Sequence, residues 1–352
     1  MVSTVMIIRK WVREAPVYEP RDYSRDTVAR LDLNENPEPP PQCIVDAILE
    51  EARRANRYPE KNMYNQLLDG LSEYTGISRD NIAFGPGSDA LLRSLFEAVL
   101  DPGDVVVAAA PSFSMYRVYS SLSGARYRET PLRECGDKWC VDRDAFLEEA
   151  KNAKLVVIDN PNNPTGSLLF DRETIASIAE NTRGLVVVDE AYYEFSKETV
   201  IDLVSEFSNI VVTRTFSKAF GLAGLRIGYL VAAKDVRDAV WKFLAPFPMP
   251  RTSIAAAIAA LGCRNIFKKI VENIAERREW LREHLGALGM KPYRSWTNFV
   301  LVDTRIDNVV DRLAERGVMV RRVPFGDTWA RITIGARGEL EILLKTLSEI
   351  KG

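Results

Sequence analysis

Residues 184–192 read GLVVVDEAY. The leucine and three valines show no alternation of apolar with polar, so a strand formed here is covered on both faces, because a half-exposed strand would alternate. The same form recurs along the chain: NIAF at 81–84, DVVVAAA at 104–110, KLVVIDN at 154–160, NIVVTRT at 209–215 and RIGYLVAA at 226–233. Helix-period segments separate these runs; after Gly87 the positions Leu91, Leu92, Leu95, Phe96 and Val99 fall on one helical face. The pattern is that of the α/β class, with a mainly parallel sheet layered between helices.

A chain of 352 residues is long for one hydrophobic core, since cores seldom grow past about 250–300 residues. The segment APFPMPRT at 245–252 places prolines at alternate positions, which stiffens the backbone and stops a helix. We expect a large domain over 39–248 and a smaller α/β domain over 249–352, with the arm 1–38 joining the smaller one. A long amphipathic helix is expected near 265–286, followed by strands at NFVLVD, VMVRR and ARITIG.

Composition excludes much. The 47 basic residues nearly balance the 49 acidic ones, leaving no global field to draw nucleic acid or an anionic membrane. Small-molecule partners are expected. No run approaches the ~18 apolar residues that cross a membrane, and the N-terminal stretch lacks the form of a signal peptide; the expected compartment is the cytoplasm. His284 is the one histidine, which removes Ser-His-Asp, Cys-His and multi-histidine metal chemistry. Cys43, Cys135, Cys140 and Cys263 form no C-x-x-C pair, so no metal is expected and reduced thiols are the default, with a small loop between Cys135 and Cys140 left open. Proton transfer then falls to Lys, Tyr, Asp, Glu or a cofactor.

In a sheet of this kind ligands sit beyond the carboxyl ends of the strands. Those ends are polar here: Asp159-Asn160-Pro161-Asn162-Asn163-Pro164-Thr165-Gly166, Asp189-Glu190-Ala191-Tyr192 and Phe216-Ser217-Lys218. They direct an amide, a carboxylate, a phenol, a hydroxyl and an amine at one crevice. The turn Phe84-Gly85-Pro86-Gly87-Ser88-Asp89-Ala90 opens a helix and suits a phosphate through backbone amides and the helix N-terminus. It fits a single phosphate better than a dinucleotide, because the next strand ends without the acidic residue that holds a ribose. A lysine, a carboxylate and a phosphate cradle together match the needs of pyridoxal 5′-phosphate (PLP).

The strings DNPNNPTG, VVVDEAYYEF and TRTFSKAFGLAGLRIGY resemble those of the fold-type I PLP-dependent aminotransferases, from about Leu31 to Gly335, and within them the branch acting on histidinol phosphate. The resemblance implies a seven-stranded, mainly parallel sheet in the large domain. It implies that Lys218 binds the cofactor as an imine and moves the substrate proton, that Asp189 pairs with the pyridine nitrogen, and that Tyr192 and Asn163 bond the ring oxygen. Phe113 would stack on the ring, unless it is plain core. Ser88, Asp89, Ser217 and Arg226 would hold the phosphate, with Tyr58 of NRYPE reaching the neighbouring subunit's phosphate in a homodimer. Arg331 would take an anionic substrate group, and Arg321 (with Arg322 as a rival) and Tyr18 would add contacts to a substrate phosphate; Asn163 would also face substrate. The partners implied are an amino donor and a 2-oxo acid. An aromatic amino-acid aminotransferase, a threonine-phosphate decarboxylase and a non-catalytic PLP-binding regulator share these features.

Overall fold

The computed structural model describes residues 7–17, 23 and 26–351. The larger sheet has eight strands, in the order Ile82–Gly85, Gly228–Ala232, Ile210–Thr215, Leu185–Asp189, Leu155–Asp159, Val105–Ala110, Arg126–Cys135 and Lys138–Val141. The five from Ile210–Thr215 to Arg126–Cys135 run parallel. Gly228–Ala232 lies antiparallel to its neighbours at one side, and Lys138–Val141 folds back antiparallel at the other. That last strand is the addition to the seven expected. The Cys135–Cys140 disulfide brackets its hairpin.

The continuous apolar runs follow from the pleat, which sends successive side chains to opposite faces. Val156, Ile158, Val186, Val188, Ile210 and Val212 enter one core with helices Gln42–Ala52 and Lys61–Thr75. Leu155, Val157, Val187 and Val211 enter a second with helix Ser88–Val99. Both faces are therefore dry.

A second sheet has the order Ala29–Leu31, Val318–Arg322, Trp329–Thr333, Phe299–Asp303 and Lys291–Pro292. Its first strand belongs to the N-terminal segment and pairs parallel with Val318–Arg322. Helices Arg264–Ala287 and Arg337–Lys351 cover it through Val271, Ile274, Leu281, Leu343 and Leu347.

The domain boundary expected at 249 needs moving. Pro250 is the N-cap of a helix, Arg251–Gly262, and Ile254, Ala256, Ala257 and Ala260 of that helix pack in the first core beside Ile44, Leu67 and Leu71. The chain passes between cores inside the next helix, whose Phe267 packs in the first core and whose Val271 and Ile274 pack in the second. The prolines thus end a linker and start a helix, as proline before a first turn does. The four cysteines, with thiols as the default expectation and a Cys135–Cys140 loop left open, are paired: besides the hairpin disulfide, Cys43 joins Cys263 across 220 residues and ties helix Gln42–Ala52 to the end of Arg251–Gly262. Among the described residues no helix is long and apolar enough to cross a membrane.

Candidate active site

The central strands end at a cavity of about 550 Å³, closed on its far side by residues of the second sheet. It collects Ser88, Asp89, Phe113, Asn163, Asp189, Tyr192, Ser217, Lys218, Arg226, Arg321, Arg322 and Arg331.

Asp189 ends its strand, Glu190 follows it, and the two meet different fates. Glu190 turns to a buried guanidinium, Arg214, with oxygen to nitrogen at 2.8 Å, and also accepts from Thr199. Its charge is matched. Asp189 faces the cavity with its oxygens held by neutral donors, the Tyr116 hydroxyl at 2.7 Å and the Ala191 amide at 3.1 Å. Burial pushes its carboxyl up from the ordinary aspartate range, against the pull of the Tyr116 hydrogen bond. A cationic ring nitrogen arriving beside it would reverse that shift.

Lys218 is half-buried, and its Nζ donates to the Leu33 carbonyl at 3.0 Å. Burial, followed by the charge of Arg331, lowers its pKa to about 8, so a free amine is available near neutrality. The Tyr192 hydroxyl accepts from Asn34 Nδ2 at 2.8 Å, and burial pushes its pKa up to about 12. Asn163 Oδ1 accepts from Arg331 Nη1 at 2.6 Å, and Arg331 Nη2 also donates to the Asp32 carbonyl. The N-terminal segment 32–34 is thereby tied to Lys218, Tyr192 and Arg331 at once.

Helix Ser88–Val99 aims its N-terminus into the cavity, with Gly87 as N-cap at a φ of 92°. A Cβ on Gly87 would collide with the Asp89 carboxylate and the Arg226 guanidinium, and one on Gly228 would collide with the Ser88 amide. Arg226 leans over this turn, held by Asp89 at 2.6 Å. Backbone amides, a helix dipole and a guanidinium around a turn kept free of side chains form an anion cradle. With the amine and the neutral-faced carboxyl, it fits PLP.

On the second sheet Arg321 lies directly across from Arg331. Both line the cavity, so two guanidinium forks reach one wall of it. Arg322, the rival, also borders the cavity, but its Nη2 is engaged by Asp311 with both contacts at 2.7 Å. Tyr58 does not line the cavity of its own chain; it is 70% exposed and stacks on Phe247 at 4.1 Å. Tyr18 lies outside the described residues.

The profile of the family "Aminotransferase class I and II" matches residues 26–347. This chain belongs to the class I and II aminotransferases. It is 39% identical to a histidinol-phosphate aminotransferase of Sulfurisphaera tokodaii over 98% of this chain and 96% of that one. It is also 39% identical to one of Thermococcus gammatolerans, over 92% of each. Among solved structures, the histidinol-phosphate aminotransferase of Sinorhizobium meliloti in complex with pyridoxal-5′-phosphate superposes with a TM-score of 0.89 at 30% identity, covering 99% of both chains.

Three side chains of this aminotransferase shape the cavity without having been singled out from the sequence. Tyr116 holds Asp189 and Asn34 holds Tyr192; the first lies in the PSFSMY string and the second in NENP. Asp159, quoted with its strand end but given no task, lines the cavity beside Asp189.

Proposed function

We propose that this chain is a PLP-dependent aminotransferase that exchanges an amino group between histidinol phosphate and 2-oxoglutarate, a step of histidine biosynthesis, and that it works in the cytoplasm. The observation that carries the reading is one cavity holding Lys218, Asp189 and the Arg321–Arg331 pair, in a chain resembling histidinol-phosphate aminotransferases over nearly its whole length.

PLP, when bound, supplies an electron-withdrawing ring that carries the amino group from donor to acceptor. Lys218 anchors it and, once freed by substrate, carries the proton to and from the carbon that bears the amino group; its lowered pKa suits that exchange. Asp189 keeps the ring nitrogen protonated, which is the use of a buried carboxyl faced by neutral donors. Tyr192 and Asn163 orient the ring from its oxygen side, and Phe113 covers one face. The amides of Ser88 and Asp89, with Ser217 and Arg226, hold the cofactor phosphate. Arg331 and Arg321 bind the substrate anion, with Tyr18 as a further contact. The test is product analysis: with histidinol phosphate and 2-oxoglutarate the purified protein should form glutamate and release no carbon dioxide. Carbon dioxide in step with turnover would point to a decarboxylase, and PLP binding with no turnover of any donor would point to a regulator.

The working unit we infer is a homodimer in which Tyr58 reaches the partner's cofactor phosphate. Supporting this, Tyr58 lies outside its own cavity and stacks on Phe247, which is likewise exposed. Mixing Tyr58→Ala with Lys218→Ala subunits should recover part of the activity that each lacks, because every hybrid contains one intact site. Hybrids shown to form yet giving no recovery would place Tyr58 at work within its own chain.

A further inference from the structure

Asp159 ends its strand in register with Asp189 on the next one, and it is 5% exposed. A second carboxyl at this place is costly: burial, aided by the neighbouring Asp189, pushes its pKa up to about 8. What offsets that cost is a set of donors from two separate loops. Oδ2 accepts the Asn163 amide at 2.9 Å and the Phe113 amide at 3.3 Å, and Oδ1 accepts Asn162 Nδ2 at 3.0 Å.

The turn after Asp159 does not depend on that carboxyl for its closure. Asn162 Oδ1 already accepts from the amide and hydroxyl of Thr165, and the Gly166 amide donates to the Asn162 carbonyl at 2.8 Å. The contact to Phe113 is of another kind, since it ties this turn to the loop after Val105–Ala110, which bears the aromatic wall of the cavity. Asn163, on the other wall, in turn holds Arg331.

We propose that Asp159 is a positioning residue: its carboxyl sets the separation between the Phe113 wall and the Asn163 wall, and so fixes both the slot for the cofactor ring and the placement of Arg331. The role is mechanical and runs through backbone amides. It rests on the PLP reading above, and the test separates the two.

The test is PLP binding to apo-protein, followed by absorbance for the dissociation constant and by visible circular dichroism for the seating of the ring. Asp159→Ala leaves two half-buried amides without that acceptor and should raise the PLP dissociation constant at least about tenfold, since a donor left unsatisfied away from water costs on that order. It should also change the visible dichroic band. Asp159→Asn keeps one oxygen for the two amides, at the loss of the Asn162 Nδ2 bond, whose donor retains the Pro111 carbonyl at 3.1 Å, and should stay within about threefold of wild type on the same scale. A change confined to thermal stability, with wild-type PLP affinity and dichroism in both variants, would overturn the proposal. Should the alanine variant fail to fold, Asp159→Ser takes its place: weaker binding than Asp159→Asn supports the role, and wild-type binding by both overturns it. Wild-type protein that takes up no PLP would instead count against the cofactor reading.

Discussion

Replacing Lys218 with alanine is expected to lower kcat/KM by at least about 10³-fold, because general acid–base catalysis alone is worth about 10²–10⁴ and the covalent anchor is lost with it. The same change removes the visible absorption of lysine-bound PLP. The placement of the side chain argues for both effects: its Nζ lies 3.0 Å from the Leu33 carbonyl, in a cavity that also holds Asp189 and Arg331. The pH dependence of the wild type gives the prediction a second edge. An amine lowered from 10.5 to about 8 is protonated below that pH and free above it. Covalent uptake of PLP by apo-protein should therefore quicken as pH rises through about 8 and then level off, whereas an unshifted lysine would go on quickening toward 10.5. A Lys218→Ala variant with wild-type turnover would remove this lysine from the chemistry.

The central strands were legible because both faces of each are covered, so Leu185–Asp189 and Leu155–Asp159 write out as unbroken apolar runs. Lys138–Val141 was not. Its burial alternates along a short edge hairpin, a pattern no stronger than that of many loops. The prolines at 246, 248 and 250 were read for what proline prevents, and their other use, as the lead into a first helical turn, needs the contact with Ile44 and Leu67 to be seen. At the site, Lys218, Asp189 and Asn163 stood out since each closes a strand or follows one. Tyr116, Asn34 and Asp159 act through partners that topology brings near: Asn34 reaches Tyr192 across 158 residues, a distance that local pattern cannot bridge. Cys43 and Cys263 escaped for the same reason. The opposition of Arg321 and Arg331 is likewise a product of strand register, visible only when the two strands pair.

That opposition leads to the sharpest expectation about substrate. Histidinol phosphate has no carboxylate, so arginines proposed to receive one carboxylate of glutamate in one half-reaction would have to receive a phosphate in the other. A planar guanidinium serves both anions, and phosphate, with more oxygens and more charge, can use a second one. Arg331 is 7% exposed and holds Asn163 and the Asp32 carbonyl, which fixes its fork; Arg321 stands across the pair. A site organised around an anion leaves its donors poorly satisfied when a neutral analogue enters, and sites of that kind reject such analogues by up to about 10⁴–10⁵. Allowing for the water that reaches an open cavity, histidinol phosphate should exceed histidinol in kcat/KM by at least about 10³. Arg331→Ala should harm turnover of both histidinol phosphate and glutamate, whereas Arg321→Ala should shrink the advantage of the phosphate while sparing glutamate more. Steady-state kinetics on the two donors and their unphosphorylated or aromatic counterparts decide the matter. If phenylalanine or tyrosine were the better donor, and the phosphate brought little gain, the site would be that of an aromatic amino-acid aminotransferase, with Lys218 and Asp189 keeping the same tasks.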